Sequence, residues 1–119
     1  MLSAPVVDAV DEIEQGRELY ARRVWADAFA SLSRAARAAP LAGEDLELLA
    51  TSAYMLGRDA DYFDALERAH HAHLDAGDRL RAAYCALWMG VNLMLQREVG
   101  PATGWIARAQ RLVDREGQT

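Results

Sequence analysis

The chain has 119 residues and a net charge of −5, with 52% apolar residues, 26% charged residues and 3 prolines. Its length is that of one domain, and its composition excludes intrinsic disorder, collagen and low-complexity architectures. All 13 basic residues are arginine, and the net negative charge argues against tight binding of a phosphate backbone by the domain as a whole.

The sequence also indicates the cellular compartment and the domain organisation of the protein. The single cysteine, Cys85, excludes an internal disulfide. No apolar run reaches the ~18 residues of a membrane-spanning helix, and the first five residues lack the basic and apolar segments of a signal peptide. We therefore expect a cytoplasmic protein in which residues 1–119 form a single helical-repeat domain.

Six helices are predicted in chain order, and no segment has the period of a strand. Pro40 ends the second helix, and Asp59 can cap the start of the fourth. Gly77 and Asp78 are typical of a helix C-terminus followed by an N-cap. Pro101 lies in the first turn of the sixth helix, where a missing N–H costs nothing. The predicted spans are 6–22, 25–39, 44–57, 61–76, 79–96 and 100–116.

A period of 37 residues relates three parts of the chain. A small residue would let two helices approach closely, and a leucine three places later lies on the same helical face. Each part is therefore expected to form a helical hairpin. The six sets of related positions are Gly16, Ala53 and Gly90; Leu19, Leu56 and Leu93; Trp25, Tyr62 and Val99; Ala28, Ala65 and Ala102; Leu32, Ala69 and Ile106; and Ala35, Ala72 and Ala109.

The first part shows the spacing most clearly, at Gly16, Leu19, Trp25, Ala28, Leu32, Ala35 and Pro40. This spacing resembles the tetratricopeptide repeat family, whose period is 34 residues. The resemblance implies an all-α fold of three stacked antiparallel hairpins in a right-handed α-solenoid, with repeats at approximately 6–40, 44–77 and 79–116. The three additional residues per repeat are expected near 41–45 and 78–82, where one hairpin meets the next.

Three segments of the chain resemble in sequence the helical-repeat segments of bacterial LuxR-type transcriptional regulators. They are residues 16–23, 45–58 and 65–73. In those proteins such repeats usually precede a helix-turn-helix that binds DNA. The resemblance implies a sensory or interaction module in bacterial transcriptional or signalling regulation.

Catalytic motifs are absent from the sequence. It contains no lysine, no phosphate-binding glycine-rich loop, no His-Glu-x-x-His and no Gly-x-Ser-x-Gly. Cys85 lies within the most apolar helix, which favours a buried structural thiol over a nucleophile. We therefore expect no enzyme and no cofactor.

Two polar clusters have a structural and a metal-binding interpretation. His70 and His73 share a helical face, whereas His71 points elsewhere, so a packed or solvated cluster is favoured over a metal site. An enzyme that uses these histidines remains an alternative. Asp59, Asp61 and Asp64 resemble the opening of a calcium loop, but its glycine and terminal glutamate are missing, so helix capping is favoured. No metal site is predicted.

The fifth helix is apolar on every face, which indicates burial against the fourth and sixth helices. These two neighbours leave one face of the fifth helix uncovered. The repeat resemblance implies a concave groove lined by the first helix of each hairpin, which would bind a protein or peptide partner. Aromatic residues would provide contact area, and Arg17 and Arg58 would pair with carboxylates. The predicted groove residues are Arg17, Tyr20, Thr51, Tyr54, Arg58, Tyr84, Leu87, Trp88 and Val91.

Three further interpretations concern partners. The same groove could hold an apolar small-molecule effector instead of a peptide. The sixth helix carries Ile106 and Val113 among other apolar residues, so the C-terminal hairpin could form a homodimer or could pack against further repeats of a longer chain. The arginines at positions 108, 111 and 115 could touch nucleic acid locally, although we expect no direct nucleic-acid binding and no membrane binding by this domain.

Overall fold

The computed structural model describes residues 4–117 of the chain. These residues form six α-helices, and the predicted all-α class is confirmed for them. Each predicted helix overlaps one observed helix, with ends that agree within two residues. The helices are α1 (Ala4–Ala21), α2 (Trp25–Ala38), α3 (Gly43–Met55), α4 (Asp59–Asp75), α5 (Arg79–Leu95) and α6 (Val99–Gly117).

Packing divides the chain into two units, Met1–Ala65 and Leu66–Thr119. The boundary falls within the sequence of α4. Unit 1 contains α1, α2, α3 and the first part of α4. Unit 2 contains the rest of α4 together with α5 and α6.

One three-residue turn occurs four times along the described residues. After α1, the Val24 N–H donates to the Leu19 carbonyl at 2.9 Å, and the Arg23 N–H donates to the Tyr20 carbonyl at 2.9 Å. These two bonds define a Schellman C-cap, in which one residue takes the left-handed conformation. The same pair of bonds recurs in turns 56–58, 76–78 and 96–98. The residues with positive φ are Arg23, Gly57, Gly77 and Arg97.

The predicted helix boundary at Gly77 and Asp78 is confirmed. Gly77 has a φ of 81°, which glycine adopts without strain from a Cβ atom. Asp78 is the N-cap of α5, and its carboxylate accepts a hydrogen bond from the Arg81 N–H at 3.0 Å. The two residues thus end one helix and begin the next within a single turn.

The recurring turn also corrects the register of the repeat. The equivalent residues Val24 and Arg58 are 34 positions apart, whereas Arg58 and Glu98 are 40 apart. The 37-residue period therefore relates the turns after α1 and α5 but misplaces the turn after α3 by three residues. In the observed register, Ala50 corresponds to Gly16 and Gly90.

The additional residues lie within helices and not at the predicted junctions. Helices α4 and α5 have 17 residues each, whereas α2 has 14 and α3 has 13. The connection between α4 and α5 is the same three-residue turn found elsewhere. The connection between α2 and α3, residues 39–42, is different. There Ala39 is extended, as expected for a residue before proline, and Pro40 follows the end of α2 as predicted.

In unit 1, α2 packs against α1 and α3, and α1 also contacts α3. A Cβ atom at Gly16 would lie 2.6 Å from the Cγ of Leu32, so a glycine is needed where these two helices approach. A polar contact ties α1 to α2 as well. The Ser31 hydroxyl donates to Glu12 at 2.6 Å, and Arg34 donates to the same carboxylate at 3.0 Å. The bonds from Arg34 and Ser31 lower the pKa of Glu12.

In unit 2, α5 packs against α6. Gly90 repeats the role of Gly16, because a Cβ atom there would lie 2.5 Å from the Ile106 side chain. Buried alanines allow the two helices to lie close together. The core residues are Ala82, Ala83, Ala86, Ala109 and Leu112, with Leu74 and Trp105 packed against them.

Candidate functional site

Helix α5 has two faces of opposite exposure, although both are apolar. One face is buried and consists mainly of small residues. The other face carries large side chains at intervals of three and four residues, which places them on one stripe. The face of α5 that packing against the fourth and sixth helices leaves over is therefore open to solvent. We call the exposed stripe the α5 face, and it comprises Leu80, Tyr84, Leu87, Trp88, Val91 and Leu95.

The centre of the α5 face contains four of the predicted groove residues. Tyr84 is 44% exposed, Leu87 is 45% exposed and Trp88 is 42% exposed. Val91 is half-buried beside them. Aromatic and leucine side chains are seldom left open to water together in this way unless a surface has a binding role. These are the predicted groove residues that lie in unit 2.

Side-chain contacts orient the aromatic residues of this face. The rings of Tyr84 and Trp88 meet edge to face, with centroids 6.2 Å apart. The guanidinium of Arg81 lies 4.2 Å from the centre of the Tyr84 ring, a cation–π contact. The Asn92 amide donates to the Trp88 carbonyl at 2.9 Å. The face is thus a set of packed rings with an arginine beside it.

Five predicted groove residues belong to unit 1, and Arg17 is the most constrained of them. Its guanidinium donates two hydrogen bonds to the Asp45 carboxylate, at 2.8 and 2.9 Å. The Asp45 side chain is only 5% exposed, and this pairing raises the pKa of Arg17. This pairing occupies one edge of the guanidinium, so a partner carboxylate would bind through the remaining N–H groups.

Arg58 is likewise held by neighbours in unit 1. It donates to Asp61 at 2.7 Å, and its guanidinium lies 4.6 Å from the centre of the Phe29 ring. Tyr54 is exposed and contacts Tyr62, with centroids 5.3 Å apart. Tyr54 therefore remains available to a partner, whereas the Arg58 head group has a structural role at the start of α4.

The other two predicted groove residues of unit 1 are half-buried. Tyr20 packs edge to face on Trp25, with centroids 5.4 Å apart. Thr51 is half-buried within α3. Neither presents as much side chain to solvent as the residues of the α5 face.

The histidine cluster divides as the helical spacing predicts. His70 and His73 are buried, whereas His71 is exposed. Cys85 is also fully buried, which agrees with a structural thiol. Asp59 begins α4, and Asp61 lies in its first turn, where a carboxylate is favoured by the helix dipole.

Sequence reasoning missed three residues at the two ends of the α5 face. Leu80 and Leu95 extend the stripe by one turn in each direction, and Leu95 is 75% exposed. Arg81 contributes the cation beside Tyr84. The intervals of three and four residues from Leu80 to Leu95 could have identified both leucines, whereas the position of the Arg81 head group depends on its rotamer.

No protein-family model, curated protein or solved structure matches this chain. Within residues 4–117, no helix combines the length and the apolar character that crossing a membrane requires.

Proposed function

We propose that the chain is a non-catalytic interaction module that binds an amphipathic helix or peptide on the α5 face. The observation that carries this proposal is the exposure of Tyr84, Leu87 and Trp88 on one stripe of α5. Rigid aromatic side chains supply contact area with little loss of conformational entropy, and they are common binding hot spots.

The dimensions of the α5 face suit a helical partner. Leu80 and Leu95 are fifteen residues apart, which corresponds to about 22 Å along a helix. A partner helix of about four turns with apolar residues at intervals of three and four would cover this length. Trp88 lies near the middle of the stripe, where removal of water on binding is most complete.

Charge indicates the polar part of the partner. Helix α5 contains Arg79 and Arg81 and no carboxylate, and Arg97 follows in the next turn. Of these arginines, Arg79 pairs with Glu116 at 3.7 Å. A partner with carboxylates at its ends would pair with Arg81 and Arg97 at the two ends of this face.

The proposed biological role rests on the sequence resemblances. We propose a role in bacterial transcriptional or signalling regulation, in the cytoplasm, with three hairpins in a right-handed tetratricopeptide-like stack. The recurrence of one Schellman turn supports the relationship among the hairpins, and its first interval of 34 residues is the period of that family.

A pair of designed helical peptides tests the binding proposal. Both peptides carry the same leucine stripe over about sixteen residues, one with glutamates at its two ends and the other with lysines. We expect the glutamate peptide to bind more tightly in a fluorescence anisotropy titration, and Trp88→Ala to weaken its binding by at least tenfold.

The control variant is Met55→Ala, which removes an exposed apolar side chain outside the α5 face. It should leave the peptide affinity unchanged, and circular dichroism should show the same helix content in both variants. Loss of helix content in Trp88→Ala would mean that Trp88 is a core residue and would overturn the assignment. No peptide binding together with thermal stabilisation by apolar metabolites would favour the small-molecule interpretation.

A further inference from the structure

His70 lies where the three helices of unit 2 meet. It belongs to the part of α4 within this unit and is fully buried. Its Nδ1 atom lies 2.7 Å from the Ala82 carbonyl oxygen, in the first turn of α5. Its ring meets the Trp105 ring of α6 edge to face, with centroids 5.3 Å apart and an angle of 86° between the planes. One imidazole therefore touches both neighbouring helices.

The hydrogen bond to Ala82 fixes the tautomer. A carbonyl oxygen only accepts, so the proton of the neutral ring is on Nδ1 and the lone pair is on Nε2. Among the described residues, Nε2 is buried without a hydrogen-bond partner. The neutral ring tolerates this arrangement, because a lone pair costs less to leave unpaired than a charged N–H does.

Protonation changes this balance. The new proton would be on Nε2, where it finds no acceptor, and the ring would carry a positive charge away from water. Burial lowers the pKa of His70 below its ordinary value of 6.5, despite the opposite effect of the bond to Ala82. Of the charged and titratable groups around it, His71 and Arg108 lower the pKa further, and Glu67 raises it.

We propose that His70 is a proton-sensitive contact between α4, α5 and α6, which holds unit 2 together as the neutral imidazole and loosens it when protonated. The neutral side chain ties α4 to the first turn of α5 and supports Trp105 of α6. Mild acid converts the same side chain into a buried cation with an unpaired N–H. This inference does not depend on the partner proposed for the α5 face.

The direction of the pH effect follows from the lowered pKa. The unfolded chain protonates His70 near pH 6.5, whereas the folded chain resists protonation until a lower pH. The contribution of His70 to stability is therefore complete above pH 6.5 and is lost as the pH falls below it. The unfolding equilibrium constant should increase by up to tenfold for each pH unit in this window.

Urea unfolding of the full chain between pH 5 and pH 8 tests the proposal with two matched variants. His70→Asn keeps an N–H donor that can reach the Ala82 carbonyl, but it cannot titrate. We expect the unfolding constant of this variant to change much less between pH 7 and pH 5.5 than that of the unmodified chain. His71→Asn removes the adjacent exposed histidine and should keep the pH dependence.

Nuclear magnetic resonance on the unmodified chain provides a second test if His70→Asn does not fold. Nitrogen-15 shifts should show the Nδ1–H tautomer of His70 at pH 7.5 and its protonation below pH 6.5. An Nε2–H tautomer, or protonation at or above pH 6.5, would overturn the proposal. So would a pH dependence of unfolding that His71→Asn removes and His70→Asn keeps.

Discussion

Arg23 and Arg97 occupy turn positions that usually favour glycine. Their φ angles are 61° and 64°, in the left-handed region, where the equivalent turns have Gly57 and Gly77. For a residue with a Cβ atom, this conformation lowers the free energy of unfolding by about 1–2 kcal/mol. Glycine avoids that penalty. Its greater conformational freedom in the unfolded chain, however, lowers the free energy of unfolding by about 0.4–1 kcal/mol.

We therefore expect Arg97→Gly to raise the free energy of unfolding by about 0.5–1 kcal/mol. The same replacement at Arg37, in the last turn of α2, is the control, because glycine there only weakens a helix and should lower stability by up to about 1 kcal/mol. Urea unfolding of both variants measures the difference. Equal destabilisation by both replacements would contradict the assigned turn geometry.

Helix α1 approaches α2 closely because position 16 is glycine. A Cβ atom there would lie 2.6 Å from the Cγ of Leu32, which is fully buried. We expect Gly16→Ala to lower the free energy of unfolding by about 1–3 kcal/mol, although alanine is the better helix former.

Two comparisons make this prediction specific, both by urea unfolding. Gly104→Ala has no neighbour within 4 Å of the new Cβ atom. Because alanine is the better helix former, this variant should have a free energy of unfolding higher by up to about 1 kcal/mol. Leu32→Ala removes the clash, so adding Gly16→Ala in that background should be neutral or stabilising. If Gly16→Ala is stabilising in the unmodified chain, α1 and α2 do not approach as described.

The sequence was sufficient to predict the helices because their ends carry local signals. Pro40, Gly77 and Asp78 act within one turn of the residues they affect. The position of the turn after α3 was not predictable in the same way. It depends on the lengths of α4 and α5, and the left-handed turns at Arg23 and Arg97 have no glycine to mark them.

The candidate site also has a part that could be predicted from the sequence and a part that could not. The exposure of Tyr84, Leu87 and Trp88 agrees with the face left over by the helical period, which is a local property. The partners of Arg17 and Arg58 could not be predicted. Asp45 lies 28 residues from Arg17, so their pairing depends on how α1 and α3 pack.

Over the whole chain, the remaining prediction concerns self-association through the C-terminal hairpin. Val99, Ile106 and Val113 are seven residues apart on α6, which places them on one stripe, and all three are exposed. We expect this stripe to support a dimer, measured by light scattering over a wide concentration range.

The dimer should disappear in Val113→Glu, because dimerisation would bury an unpaired charge. Arg111→Glu places a glutamate on another face of α6 and should keep the dimer. A monomer at every concentration of the unmodified chain would exclude self-association and leave the α5 face as the main docking surface.

The recurring three-residue turn also affects how the chain folds. Within each unit, the helices that pack together are consecutive or separated by one helix in the sequence. Contacts between such near neighbours require only short loops to close, so little chain entropy is lost before the first hairpins gain packing energy. Proteins with contacts of this kind fold in microseconds to milliseconds. Each hairpin turn thus shortens the conformational search as well as ending a helix.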